Sequence, residues 1–102
     1  MEKRTAHYSL DEIKAAVRDR GVLCFTRTAR AGFVELGLSE AEALAVVQAI
    51  GRRDFNKSMT THLDHTVWQD VYKPMTRCGR AYVKFTLRTD GSIVISFKAC
   101  EE

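Results

Sequence analysis

Two hydrophobic periods divide the chain. From Ser9 to Gly51 apolar positions recur at helical spacing, and from about Lys57 onward they alternate. Ser9 followed by Glu12 has capping-box spacing, Ile13, Ala16 and Val17 form an apolar stripe, and Gly21 supplies a stop. A brief helix is predicted over 29–36, ending at Gly37. Ser39 and Glu42 repeat the capping spacing and open a helix through Leu44, Val47 and Ile50 that Gly51 ends. Between the first two helices, residues 22–26 alternate and predict a short strand. In the second half, strands are predicted near 57–61, 66–72, 80–87 and 92–98. Helices first and strands afterwards predict an α+β fold, an antiparallel sheet with helices packed on one face.

The last two strands carry a register argument. Ala81, Val83, Phe85 and Leu87 share one face; Arg80, Tyr82, Lys84 and Thr86 share the other. A two-residue Asp90-Gly91 turn would pair Phe85 with Ser96 and mix the faces. A three-residue loop, Thr89-Asp90-Gly91, with Gly91 in the left-handed region, pairs Phe85 with Ile95 and Val83 with Phe97. The same register sets Tyr82 opposite Lys98 on the polar face, with β-carbons about 5 Å apart.

Composition changes this picture little. The 102 residues are predicted to form a single domain, 1–102, because no repeat, low-complexity tract or linker interrupts them. The single proline, Pro74, marks a break after Tyr72 rather than a boundary. A net charge of +3 and a pI near 8.9 permit an anionic partner without requiring one. Cys24, Cys78 and Cys100 are odd in number and widely spaced, which argues against a disulfide framework or zinc site and for a reducing cytoplasm. No apolar run suits a membrane span or signal peptide.

The span 54–72 packs lysine, methionine, two histidines, tryptophan and glutamine into a stretch with few aliphatics. With the M-E-K-R-T start, E-L-G-L at 35–38, D-F-x-K-S-M-T-T, D-H-T-x-W-Q-D-V-Y and the closing S-F-K, the chain resembles the MqsR family of bacterial toxin ribonucleases over almost its whole length. The resemblance implies a RelE-like fold and a cytoplasmic endoribonuclease that cuts mRNA at GC-containing sites such as GCU, without the ribosome and without a metal or other cofactor. It also implies a cognate antitoxin that itself binds zinc and reaches operator DNA, so that the toxin meets DNA only indirectly. Its catalytic lysine, glutamine, tyrosine and C-terminal lysine map to Lys57, Gln69, Tyr82 and Lys98.

A metal-independent ribonuclease needs a base for the 2′-hydroxyl, a cation for the charged phosphorane and an acid for the leaving 5′-oxygen. Lysine and tyrosine can fill those roles. Taken without the resemblance, Tyr82 and Lys98 read first as a solvated cross-strand pair, Lys57 as a surface lysine and Gln69 as a buried or edge polar residue; the resemblance reverses that order. RNA contacts are expected from Met59, His62, Arg80 and Lys84, with a solvated charged face as the competing reading for the last two. His62 and His65 alternate to opposite faces and lack a third ligand, so no metal is expected there; His65 is expected to hydrogen-bond within the D-H-T turn. Trp68 is expected in the core, and residues 99–102 are expected to fray. A non-catalytic RNA- or antitoxin-binding module is the alternative. Antitoxin docking is expected at a sheet edge and adjacent helix surface.

Overall fold

The computed structural model describes residues 1–101. Three helices, α1 (Leu10–Arg20), α2 (Arg27–Leu36) and α3 (Glu40–Ala49), precede most of a sheet built from β1 (Glu2–Lys3), β2 (Phe55–Thr60), β3 (Trp68–Tyr72), β4 (Met75–Thr76), β5 (Gly79–Leu87) and β6 (Ile93–Ala99). The main order is β1-β2-β3-β5-β6, all antiparallel, with β4 paired to the start of β5. Among the described residues, no helix is long and apolar enough to cross a membrane.

The first and third helices start at their predicted caps, while α2 starts at Arg27, two residues before the predicted 29, capped by Thr26 from the segment predicted as a strand. Ser9 accepts from the Glu12 N–H, Thr26 accepts from Ala29, and Ser39 and Glu42 exchange the two bonds of a full capping box. Gly37 closes α2 at φ 101°, where a side chain would be strained. Ile13, Val17, Phe33 and Val47 pack from the helices onto Tyr72, Val83, Phe85, Ile95 and Phe97 of the sheet, leaving the opposite sheet face open. The approach of α2 to β6 is close: a β-carbon at Gly32 would collide with the Phe97 carbonyl oxygen. Lys98 on the far face is therefore backed by a tightly seated helix.

Glu42 also anchors the β4–β5 turn. Arg77 Nη2 donates to Glu42 Oε1 at 2.9 Å and to the Gly37 carbonyl at 2.7 Å. The Arg77 guanidinium, helped by the Ser39 N–H, holds the Glu42 carboxyl down at about 2, from an ordinary 4.5. A depressed folded-state pKa adds stability that is present above the ordinary value and lost as pH falls toward the folded one. The wild-type advantage over Glu42→Gln in urea unfolding is expected to be present at about pH 6 and to shrink between about pH 4.5 and pH 2. An advantage that does not change with pH would remove the ion pair from the argument.

The terminal hairpin has the register predicted from side-chain parity: Phe85 pairs with Ile95, Val83 with Phe97 and Tyr82 with Lys98, and Gly91 sits at φ +87°. Other expectations need correction. Residues 22–26 are not a strand; Gly21–Cys24 form a 3-10 turn, and only Phe25 makes a parallel bridge, to Ile95. Trp68 is not core. It is half-buried, stacked on the His7 ring at 5.2 Å between centroids, with Lys3 Nζ 4.2 Å above it. The tail pairs further than expected, since Ala99 belongs to β6 and the Cys100 N–H donates to the Arg80 carbonyl; Glu102 lies outside the described residues.

Candidate active site

Lys57 reaches the open face because of one extra residue. Strict alternation would put Phe55 and Lys57 on the same side of β2. The register instead jumps between them, from Phe55–Tyr72 to Lys57–Val71, leaving Asn56 as a bulge. Phe55 can then pack edge-on against Tyr72 in the core, at 5.4 Å between ring centroids, while Lys57 points the other way.

Register propagates that face across the sheet. Lys57 pairs with Val71, Val71 with Lys84 and Lys84 with Ser96; one row along, Met59 pairs with Gln69; on the other side, Tyr82 pairs with Lys98. The four predicted catalytic residues, together with Met59 and Lys84, thus share the face opposite the helices. Lys57 is separated from Lys84 by one strand, or roughly 10 Å of backbone at ordinary strand spacing. Val71 between them is fully buried although it lies on this face; the lysine stems on either side are the apolar cover that register supplies.

Tyr82, Lys84 and Lys98 converge most closely. With Ser96 and Thr28 they line a notch of about 140 Å³ beside the start of α2. Lys98 Nζ lies 5.2 Å from the Tyr82 ring centroid, and Lys73 Nζ lies 5.9 Å from it. Burial pushes the Lys84 ammonium below the ordinary lysine value, and repulsion from Lys98 lowers it further. Sequence reasoning places Lys84 on the Tyr82 face as an RNA contact and does not find its half-buried setting beside Lys98. The signal lay in its place on a central strand, paired with β3 on one side and with the Lys98-bearing β6 on the other.

The other predicted residues are more scattered. Arg80 spends a guanidinium N–H on the Lys73 carbonyl at 2.6 Å, tying the end of β3 to β5 while remaining exposed. His62 lies exposed in the β2–β3 loop, beyond the strand that carries Met59. His65 is exposed as well, and the turn is held by other groups: Thr61 Oγ1 donates to the Asp64 carbonyl at 2.8 Å, and Asp64 Oδ1 accepts from the Thr66 N–H and hydroxyl. Two residues were missed altogether. Glu2 brings a carboxylate 3.5 Å from Lys57 Nζ through the two-residue β1. Asp70, fully buried on the helix side, accepts from Ser58 Oγ and from the His7 and Tyr8 N–H groups directly behind the site.

A small antiparallel sheet, helices on one side and a lysine- and tyrosine-bearing face left open on the other, defines an α+β protein of the RelE-like toxin architecture. The family model described as "Motility quorum-sensing regulator, toxin of MqsA" matches residues 5–99, and the chain belongs to that MqsR toxin family. Among its relatives is the mRNA interferase toxin MqsR of Escherichia coli (strain K12), 43% identical over 98 residues that cover 96% of this chain and 98% of that protein.

Proposed function

We propose that this chain is the toxin of a toxin–antitoxin pair and acts as a metal-independent endoribonuclease on mRNA, with a preference for GC-containing sites such as GCU. The observation that carries the reading is the gathering of Lys57, Gln69, Tyr82, Lys84 and Lys98 on one open sheet face in a chain 43% identical to an mRNA interferase. In this reading Lys84, its charge disfavoured by burial and by Lys98, takes the 2′-hydroxyl proton. The 2′-oxygen attacks phosphorus, and the bond from phosphorus to the 5′-oxygen breaks. Lys98 and Lys57 stabilise the charge that gathers on the phosphorane oxygens. Tyr82 gives the proton to the leaving oxygen, while Met59 and Gln69 flank the substrate one row along. The products are a 2′,3′-cyclic phosphate and a 5′-hydroxyl.

Cleavage of a defined mRNA is expected to continue in EDTA, to leave a 5′-hydroxyl on the downstream fragment, and to stop when the cut nucleotide carries a 2′-O-methyl group. Activity lost in EDTA and restored by magnesium would sink the mechanism. Binding without any cut would favour a non-catalytic module.

The antitoxin partner implied by the family is proposed to dock at a sheet edge. The β6 edge is taken near its middle by Phe25 and Thr26, whose N–H donates to the Ile95 carbonyl at 3.1 Å. The β1 edge is two residues long, so helix surface must supply part of any such interface.

A further inference from the structure

The notch beside α2 holds one polar group that the mechanism above leaves without a task. Ser96 stands directly opposite Lys84 and two residues before Lys98, on the same open face. It is half-buried, yet its hydroxyl makes no hydrogen bond among the described residues. Every other buried or half-buried serine and threonine among them has its hydroxyl bonded, Ser58 to Asp70, Thr86 to the Trp68 carbonyl and Ser92 to Asp90 included. Among the described residues no side-chain polar atom sealed from solvent lacks a partner, so the Ser96 hydroxyl opens into the notch and is not stranded in the core.

The surroundings say what that hydroxyl would meet. Small side chains make the notch: Thr28 and Ala29 of α2 and Ser96 itself leave about 140 Å³ between them and the Tyr82, Lys84 and Lys98 side chains. The Thr28 hydroxyl is already engaged with Thr26 Oγ1 at 3.2 Å. Lys98 brings an ammonium, which donates only, and the lone pair of a neutral Lys84 is needed for the 2′-hydroxyl. Tyr82 serves the leaving oxygen. What the notch lacks is an anionic acceptor. A phosphorane carries two non-bridging oxygens, and the charge on them grows in the transition state, where a fixed donor is worth most.

We propose that Ser96 is a further catalytic residue of this site: its hydroxyl donates to a non-bridging oxygen of the scissile phosphate, in a hydrogen bond that strengthens as the phosphorane forms. The proposal rests on the ribonuclease reading above and adds a neutral donor to its lysines. The test is single-turnover cleavage of a short RNA spanning the cut site, and of its two diastereomers with sulfur in place of one non-bridging oxygen there. Sulfur is the weaker hydrogen-bond acceptor. Ser96→Ala is expected to keep the wild-type Tm and to cleave the all-oxygen RNA ~10–10²-fold more slowly. Its affinity for the same RNA 2′-O-methylated at the cut nucleotide should stay within about threefold of wild type, because the bond matters most in the transition state. In wild type the diastereomer whose sulfur faces Ser96 should be cleaved more slowly than the all-oxygen RNA. Ser96→Ala should shrink that penalty and leave the other diastereomer's penalty as it was. An all-oxygen rate in Ser96→Ala within about twofold of wild type would overturn the role. So would a slowed variant in which both sulfur penalties match those of wild type, since a serine that only supports the strand has no stake in one oxygen. Wild-type protein that binds the RNA and cuts none of it counts against the ribonuclease reading and removes the serine's role with it, while cleavage by wild type and Ser96→Ala alike counts against the serine alone.

Discussion

Lys84→Met and Lys98→Ala are each expected to lower the single-turnover cleavage rate by ~10²–10⁴ while the protein stays folded, the ordinary cost of a lost base or of a positioned charge. The two substitutions should differ in their pH dependence. Lys98 is one of the two causes that push the Lys84 ammonium below its usual value, after burial itself. Removing the Lys98 charge favours protonated Lys84, so the residual rate of Lys98→Ala should reach its plateau at higher pH than that of wild type. Lys84→Met removes the titrating group, and its residual rate should lose that dependence. A Lys98→Ala profile at the wild-type position would show that Lys84 is not the base. Antitoxin affinity is the control for integrity of the surface: with docking at a sheet edge, Lys98→Ala should retain it within about tenfold, or 1.4 kcal/mol.

The fold was legible where local chemistry and periodicity agree. Capping residues marked the starts of α1 and α3, and parity with a three-residue loop fixed the β5–β6 register, because a one-residue slip would have mixed Phe85 and Val83 with serine and lysine. What stayed hidden depends on partners distant in sequence. Alternation over 22–26 looks like a strand, yet only Phe25 finds a neighbour, so the preceding residues tighten into a 3-10 turn. The strand Glu2–Lys3 is too short to carry a period and exists because β2 offers it an edge. Trp68 reads as core by type, but the start of β3 lies under the N-terminal segment rather than a helix, so its indole meets His7 and Lys3. The candidate residues were named by resemblance, and parity in the hairpin gave the shared face of Tyr82 and Lys98. The Asn56 bulge that turns Lys57 to the same face as Tyr82 leaves no mark in the alternation, since one inserted residue is indistinguishable from the strand's own start.

Asp70→Ala is expected to cost about 2–4 kcal/mol of stability, and with it the geometry of the catalytic face. Asp70 is fully buried, and its carboxylate is satisfied by Ser58 Oγ at 2.7 Å, the His7 N–H at 3.0 Å and the Tyr8 N–H at 2.8 Å. Alanine leaves those donors without their acceptor, and a stranded buried donor costs about 1–3 kcal/mol. The estimate stays below three full penalties because His7 is exposed and its N–H can turn to water. For a chain of this length such a loss lowers Tm by roughly 10–25 °C. Position explains why function should follow. Ser58 and Asp70 face each other across β2 and β3, between the Lys57–Val71 and Met59–Gln69 pairs that point to the open side. Their hydrogen bond fixes the register that presents Lys57 and Gln69, and the same carboxylate pins the segment leading from β1 into α1. Ser58→Ala removes the matching hydroxyl, so a double-mutant cycle between the two positions should show coupling of 0.5 kcal/mol or more. At a temperature where Asp70→Ala is still folded, its cleavage rate should fall further than its antitoxin affinity. Wild-type Tm in Asp70→Ala, or additive effects of the two substitutions, would mean that the carboxylate does not hold the strands behind the site in place.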